Sequence, residues 1–285
     1  MSHFQSESES ESESESESES EAGGLAHTPF DLTGRSFWVV GGAGYLGQSV
    51  VRLLAKLGAR VRCVDLPGKA EAWLAAEPEL AERVTALSLD LADTKRSPAW
   101  VAEQIAEHGV PAGVAVLTYT STAKRLEELT PADFDHVCHG NLTATFVFAR
   151  AVADAMAANR AGSIALFSSM YGGVAPDPRI YEAPLNPNPI EYGVNKAGIR
   201  QMARYLAVHY GPRGVRCNSL SPGPFPNPAF QHDQPGFIER LAQKVPLGRV
   251  GQAPEIAGAV AFLLSDAATY VTGIDLPVDG GWTAW

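Results

Sequence analysis

Tyr192 and Lys196 stand four residues apart in Tyr192-Gly193-Val194-Asn195-Lys196. On a helix that spacing places both on one face. A phenol, with a reference pKa of about 10, is poorly suited to proton transfer at neutral pH. A neighbouring ammonium favours the phenolate and brings that value down. A pair of this kind can take a proton from an alcohol or return one to a carbonyl. The same spacing arises by accident on many amphipathic helices, so its company decides. Upstream, a strand-like run ends in Phe167-Ser168-Ser169 and supplies a hydroxyl. His136, Cys138 and His139 are close in sequence but have no fourth partner in reach. Structural or surface roles, and no metal, are expected for them.

A second constellation has the spacing of a dinucleotide site. Gly41-Gly42-Ala43-Gly44-Tyr45-Leu46-Gly47 follows a strand-like run and opens a helix. Glycine serves where the chain turns sharply, where backbone must approach a pyrophosphate, and where helix packs on strand. Amides at the helix start then face the phosphates. Gly41, Gly44, Tyr45, Leu46 and Gly47 are therefore candidate cofactor contacts. Asp65, 18 residues beyond Gly47, ends the second strand-like run. A carboxylate there accepts from both adenosine ribose hydroxyls and repels a 2′-phosphate. No Arg or Lys lies inside the glycine loop, so NAD is expected rather than NADP. Asp90-Leu91 follows the third strand and is placed to hold the adenine; alone, Asp90 reads equally as a helix cap. Lys196 can also hold the nicotinamide ribose.

These residues need a frame. Strand-like runs fall at 37–40, 60–64, 84–89, 114–117, 163–167, 215–218 and 274–278, with helix-like stretches at 46–57, 100–108, 134–158, 191–210 and 255–264. Such alternation implies right-handed βαβ units and a parallel sheet covered on both faces. The expected fold is a single α/β domain, a doubly wound parallel sheet of the Rossmann type, with ligands at the carboxyl ends of its strands. A catalytic domain over 29–285 accounts for the chain after a Ser-Glu-rich tail, 1–28.

Composition narrows the function. The formal net charge is −10, but eight Ser-Glu pairs at 6–21 carry −8 of it, leaving the rest nearly neutral. That is not the basic footprint of a nucleic-acid binder. The tail has almost no apolar content and is expected to be solvated and disordered. Cys63, Cys138 and Cys217 lie far apart and suggest a reducing compartment. Neither a signal peptide nor a membrane-length apolar run is visible, and a cytoplasmic protein is expected.

Taken together, Gly41–Gly47, Asp65, Asp90, Asn141, Ser169, Tyr192/Lys196, Ser221-Pro222-Gly223 and Val278-Asp279-Gly280-Gly281-Trp282 resemble, in order and approximate spacing, the short-chain dehydrogenases/reductases. The similarity covers about residues 32–282. It implies that Ser169 bonds the substrate oxygen, Tyr192 acts as acid/base, Lys196 lowers its pKa and Asn141 holds a water for proton relay. Pro222 and Gly223 would approach the nicotinamide carboxamide, and Thr118 and Phe225 would also face the cofactor. With the apolar segment 270–285, the resemblance also implies a symmetric homo-oligomer, a tetramer or dimer.

There are departures. The family's Asn-Asn-Ala-Gly after the fourth strand is replaced by Thr118-Tyr119-Thr120-Ser121, and Asn227 stands where a threonine is usual. Tyr45 makes the glycine loop read as in sugar-nucleotide epimerases and dehydratases. Twenty-two residues, five of them prolines, separate Ser169 from Tyr192. This stretch resembles a subgroup found with bacterial surface-sugar biosynthesis. The segments 171–190 and 224–246 are expected to wall the substrate, with Tyr119, Met170 and Tyr181 as contacts. Polar groups there (Asp177, Arg179, Glu182, Asn186 and Asn188) suit a hydroxylated substrate such as a sugar or polyol. The function expected is therefore interconversion of a secondary alcohol and a ketone. Two other readings stand beside it. One is an epimerase or dehydratase of a sugar derivative, disfavoured because little chain follows Val278-Asp279-Gly280-Gly281. The other is a cofactor-bound sensor, disfavoured because Tyr192 and Lys196 are both kept.

Overall fold

The structure, a computed structural model, describes residues 28–285. The expected tail lies outside the described residues except for Thr28. In chain order the main elements are β1 (Ser36–Val40), α1 (Tyr45–Lys56), β2 (Arg60–Asp65), α2 (Lys69–Ala75), β3 (Val84–Ser88), α3 (Ser97–His108), β4 (Gly113–Val116), α4 (Pro131–Cys138), α5 (Ala144–Ala158), β5 (Gly162–Phe167), α6 (Ile190–Tyr210), β6 (Val215–Pro222), α7 (Pro228–Asp233), α8 (Pro235–Lys244), α9 (Ala253–Leu264) and β7 (Asp275–Val278). The seven strands form one sheet in the order β3-β2-β1-β4-β5-β6-β7, every pair parallel. The expected doubly wound sheet is observed.

Alternate strand residues feed opposite layers. Trp38, Val40, Val114, Val116, Ile164 and Leu166 meet α3, α5 and α6 on one face. Phe37, Val39, Ala115, Ala165 and Phe167 meet α1 and α9 on the other. Burial on both faces is why these strands read as continuous apolar runs. Trp38 and Trp100 meet edge to face at 5.6 Å at the centre of the first layer. A third, smaller cluster joins the 171–190 loop to α8 through Met170, Tyr171, Ile180, Phe237, Leu241 and Trp282.

The chain reverses direction across the sheet between β1 and β4, and the crevice at that switch point is where such folds bind ligands. Both the glycine loop and Thr118-Tyr119 leave strands there. One expected element is corrected: the helix over 134–158 is two helices, α4 and α5, separated by a π turn, His139–Thr143. Thr130 starts α4 early through a capping box with Asp133. The wider turn carries Asn141.

Candidate active site

The glycine loop is built for close approach. Gly41 has φ +83°, and a Cβ on Gly47 would lie 2.2 Å from Gly41 O. Any side chain there would push the start of α1 off the loop. Asp65 is buried at the end of β2; its Oδ2 accepts from Ala43 N–H (3.0 Å) and its Oδ1 from Leu66 N–H (2.9 Å). It thus fastens the loop while Oδ2 keeps acceptor capacity. Lys69, on the first turn of α2, pairs with Asp65 at 3.2 Å. That cation was not legible in the sequence because α2 was not expected. Asp90 is exposed and accepts from Ala92 N–H (2.9 Å), while Leu91 is buried. Thr118 stands beside Gly41, its hydroxyl buried without a hydrogen-bond partner.

At the far side of the crevice the structure separates the two serines. Ser168 Oγ donates to Lys196 O at 2.7 Å and so ties β5 to α6. Ser169 caps the short turn Met170–Gly172, its Oγ accepting from Tyr171 N–H (3.2 Å), and its hydroxyl favours the Tyr192 phenolate. Lys196 is buried, donates from Nζ to Phe167 O (2.8 Å), and lies 5.5 Å from the centre of the Tyr192 ring. Burial pushes the Tyr192 phenol up to about 12, against the lowering effect of Ser169. Burial also brings the Lys196 ammonium down to about 8. The expected lowering of the phenol by Lys196 is not found: burial of the phenol dominates, and the opposing influence is that of Ser169. Tyr119, 67% exposed, meets Tyr192 edge-on at 6.0 Å.

Asn141 is 2% exposed, and its side chain brackets Thr120: Oδ1 accepts from Thr120 N–H and Nδ2 donates to Thr120 O, both at 2.8 Å. The amide thus holds the loop after β4.

A family model described as enoyl-(acyl carrier protein) reductase matches residues 42–283. The chain belongs to the short-chain dehydrogenase/reductase family. It is 33% identical over 264 residues to a galactitol 2-dehydrogenase (L-tagatose-forming) of Cereibacter sphaeroides, covering 90% of this chain and 98% of that protein. Among solved structures, it resembles a short chain dehydrogenase from Leptospira borgpetersenii with bound NAD+ (29% identity, TM-score 0.79, covering 91% of this chain and 96% of that one). A gluconate 5-dehydrogenase from Burkholderia cenocepacia in complex with NADP and tartrate is 26% identical, with TM-score 0.80 and coverage of 90% and 98%. The chain is accordingly an oxidoreductase that acts on CH–OH groups, interconverting a secondary alcohol and a ketone.

β6 ends in Ser221-Pro222 and is followed by Gly223. Gly223 N–H donates to Val278 O (2.9 Å), and a Cβ on Gly223 would lie 2.5 Å from Asp279 Cα. Close packing on the Val278–Gly281 segment is thus one reason for Gly223, with Pro222 just before it. Phe225 is half-buried against Gly251, and Asn227 caps α7 by accepting from Phe230 N–H.

The loop peculiar to this short-chain dehydrogenase/reductase differs from expectation. Four of the five polar groups expected to face the substrate bind other protein groups, whereas Asn188 Oδ1 is buried without a hydrogen-bond partner. Asp177 pairs with Arg179 and Lys244, Glu182 with Arg240, and Asn186 accepts from Arg125. Arg240 also donates to Ile180 O (2.8 Å). The contacts to Arg240 and Lys244 latch the loop onto α8. Met170 is 5% exposed, and Tyr181 is hydrogen-bonded to Tyr171 (2.7 Å) and packed on Phe237. Both belong to the third apolar cluster rather than to an open polar wall. A cavity of about 830 Å³ lies between this loop, Lys124–Glu127 and α6, but Ser169, Tyr192 and Lys196 do not line it. Of the metal candidates, His136 is exposed, His139 Nε2 meets Ala92 O (2.8 Å) and Cys138 Sγ meets Asn195 Nδ2 (3.5 Å).

Proposed function

We propose that this chain is an NAD-linked dehydrogenase of a small hydroxylated compound of the polyol or sugar kind. Tyr192 is its acid/base, Ser169 its hydrogen-bond donor to the reacting oxygen, and Lys196 and Asn141 support them. The observation that carries the reading is the arrangement at the end of β5: buried Lys196 donates to Phe167 O and lies 5.5 Å from the centre of the Tyr192 ring, while Ser168 is held by the backbone of α6 and Ser169 is not.

In oxidation, the Tyr192 oxygen takes the hydroxyl proton while Ser169 holds that oxygen; in reduction the proton returns from the phenol. The dinucleotide, when bound, supplies the hydride acceptor or donor. Gly41, Gly44, Tyr45, Leu46, Gly47 and Asp65 would hold its pyrophosphate and adenosine ribose, and Asp90 and Leu91 its adenine. Thr118, Lys196, Pro222, Gly223 and Phe225 would hold the nicotinamide side. The Gly47 contact and the unpartnered Thr118 hydroxyl suit that group.

The Asp65 carboxylate favours NAD, since a 2′-phosphate beside it would be repelled. The hydroxylated substrate rests on the relatives' own substrates; of the expected wall, Tyr119 stands open beside Tyr192, while Met170 and Tyr181 back it from the third apolar cluster. Among the described residues no helix is long and apolar enough to cross a membrane. With the near-neutral charge of residues 22–285, this supports a cytoplasmic protein acting on a small molecule rather than on nucleic acid. The division into a tail, 1–28, and a catalytic domain, 29–285, and assembly as a homotetramer or dimer complete the reading.

The test is NAD-linked turnover over a panel of polyols, aldonates and hydroxy acids, with galactitol first. Tyr192→Phe should lower turnover about 100-fold or more with NAD binding nearly intact. Turnover within threefold of the unmodified protein would reject the assignment.

A further inference from the structure

Where the family carries Asn-Asn-Ala-Gly after the fourth strand, this chain carries Thr118-Tyr119-Thr120-Ser121, and another device must hold the loop. Glu191 is completely buried, one residue before Tyr192. Carboxylates are almost never fully buried unless paired. Its Oε1 accepts from both the N–H (3.2 Å) and the hydroxyl (2.7 Å) of Thr122, 69 residues away in sequence, whereas Oε2 is buried without a hydrogen-bond partner. The carboxylate is thus directed at the loop.

The loop shows independent signs of being held. Ala123 has φ +56°, a conformation that an L-residue keeps only where its surroundings impose it. The Thr122 hydroxyl that donates to Glu191 also accepts from Lys124 N–H (3.2 Å). Lys124 in turn grips Asp133 on α4 through both carboxylate oxygens at 2.8 Å. On the other side, the Asn141 amide brackets Thr120. Tyr119 stands immediately before these fastenings, largely exposed, its ring at 86° to that of Tyr192. Its exposed ring therefore flanks the Tyr192 ring on the side of this loop.

We propose that Glu191 is a positioning residue for substrate choice: through Thr122 it holds the loop after β4 so that Tyr119 stands edge-on at Tyr192 and bounds the site. This rests on the reading of Tyr192 as the proton-transfer group. The test compares Thr122→Val, which removes the shorter, hydroxyl bond of the contact, and Glu191→Leu, which removes both, with Glu191→Gln, which keeps an acceptor at Oε1. Hydrogen exchange of the amides at 119–124 is measured in the whole chain, together with KM for NAD and for the alcohol turned over fastest in the panel.

Exchange should rise at least tenfold in Thr122→Val and Glu191→Leu and stay within twofold in Glu191→Gln. KM for the alcohol should rise at least fivefold in the two breaking variants, with KM for NAD within twofold. Unchanged exchange in the breaking variants overturns the proposal. So does faster exchange without a change in alcohol KM, or an equal rise in both KM values. Should Glu191→Leu not fold, Thr122→Val alone decides, since Thr122 is only half-buried. The exchange readout needs no turnover, so its outcome is separable from failure of the dehydrogenase reading at Tyr192→Phe.

Discussion

Ser168 and Ser169 have the same chemistry and adjacent positions, and their partners alone distinguish them. Ser169→Ala removes the hydroxyl whose influence lowers the Tyr192 phenol. Ser168→Ala removes a buried bond to Lys196 O, at a cost of about 1 kcal/mol in stability. With the phenol raised to about 12 by burial, kcat/KM for alcohol oxidation should climb with pH from neutrality into the alkaline range, because the deprotonated form is the base. In Ser169→Ala that alkaline limb should move to higher pH, since the lost donor favoured the phenolate; a limb that stays in place or moves down contradicts the assignment. Asp65 gives a second prediction at this scale. Its carboxylate holds Lys69 at 3.2 Å, so Asp65→Ser both removes the repulsion of a 2′-phosphate and frees a cation for it. The unmodified protein should prefer NAD by at least about tenfold in kcat/KM, roughly 1.4 kcal/mol. Asp65→Ser should narrow or reverse that preference, and the further change Lys69→Ala should restore part of it.

At the scale of elements, α6 carries Tyr192 and Lys196, and its position depends on contacts beyond them. Arg200, one turn after Lys196, pairs at 2.6 Å with Asp275 on β7, and both side chains are largely buried. Asp275 also accepts from Ser219 (2.6 Å) and Ser221 (2.9 Å) on β6. Removing one member of a buried pair leaves an uncompensated charge, so Arg200→Met should cost about 3–5 kcal/mol, read as a lower urea midpoint. Arg200→Met with Asp275→Leu should recover most of that loss; additive losses would show that the pair does not act as a unit. This network also explains one limit of the sequence reading. β6 was expected over 215–218 but extends to Pro222. Ser219 and Ser221 interrupt its apolar pattern, and the partner that makes their burial tolerable lies more than fifty residues away. The Thr122–Glu191 contact was hidden for the same reason, as were the pairings of the 171–190 loop with α8. By contrast β1, β4, β5, α1 and α9 were legible, because burial against two layers or one leaves a period in the residues themselves. The π turn left no such period. A helix widened by one residue keeps its composition, so 134–158 read as continuous.

For the whole molecule, the question is what covers the outer face of α6. Ile190, Val194, Ala197, Gln201, Tyr205 and Val208 follow one another at three- and four-residue steps and are all exposed, Tyr205 by 71% and Val208 by 80%. Phe146 of α5 is also exposed, at 40%. A helix that buries Ile199, Ala203 and Leu206 in the core needs no second apolar stripe for its own folding. Exposed apolar surface of this extent marks an association site. A second apolar group, Tyr270, Ile274 and Trp285, lies near β7. Pairing of each patch with its own copy would generate two dyads, and closed assembly about both would give four subunits. Light scattering at micromolar concentration should therefore give four chain masses. Tyr205→Glu together with Val208→Glu should lower that to two, because charge is placed on one patch and the other is left intact. A monomer in the unmodified protein would rule out assembly through either patch, and a tetramer that survives both substitutions would remove the α6 stripe from the interface.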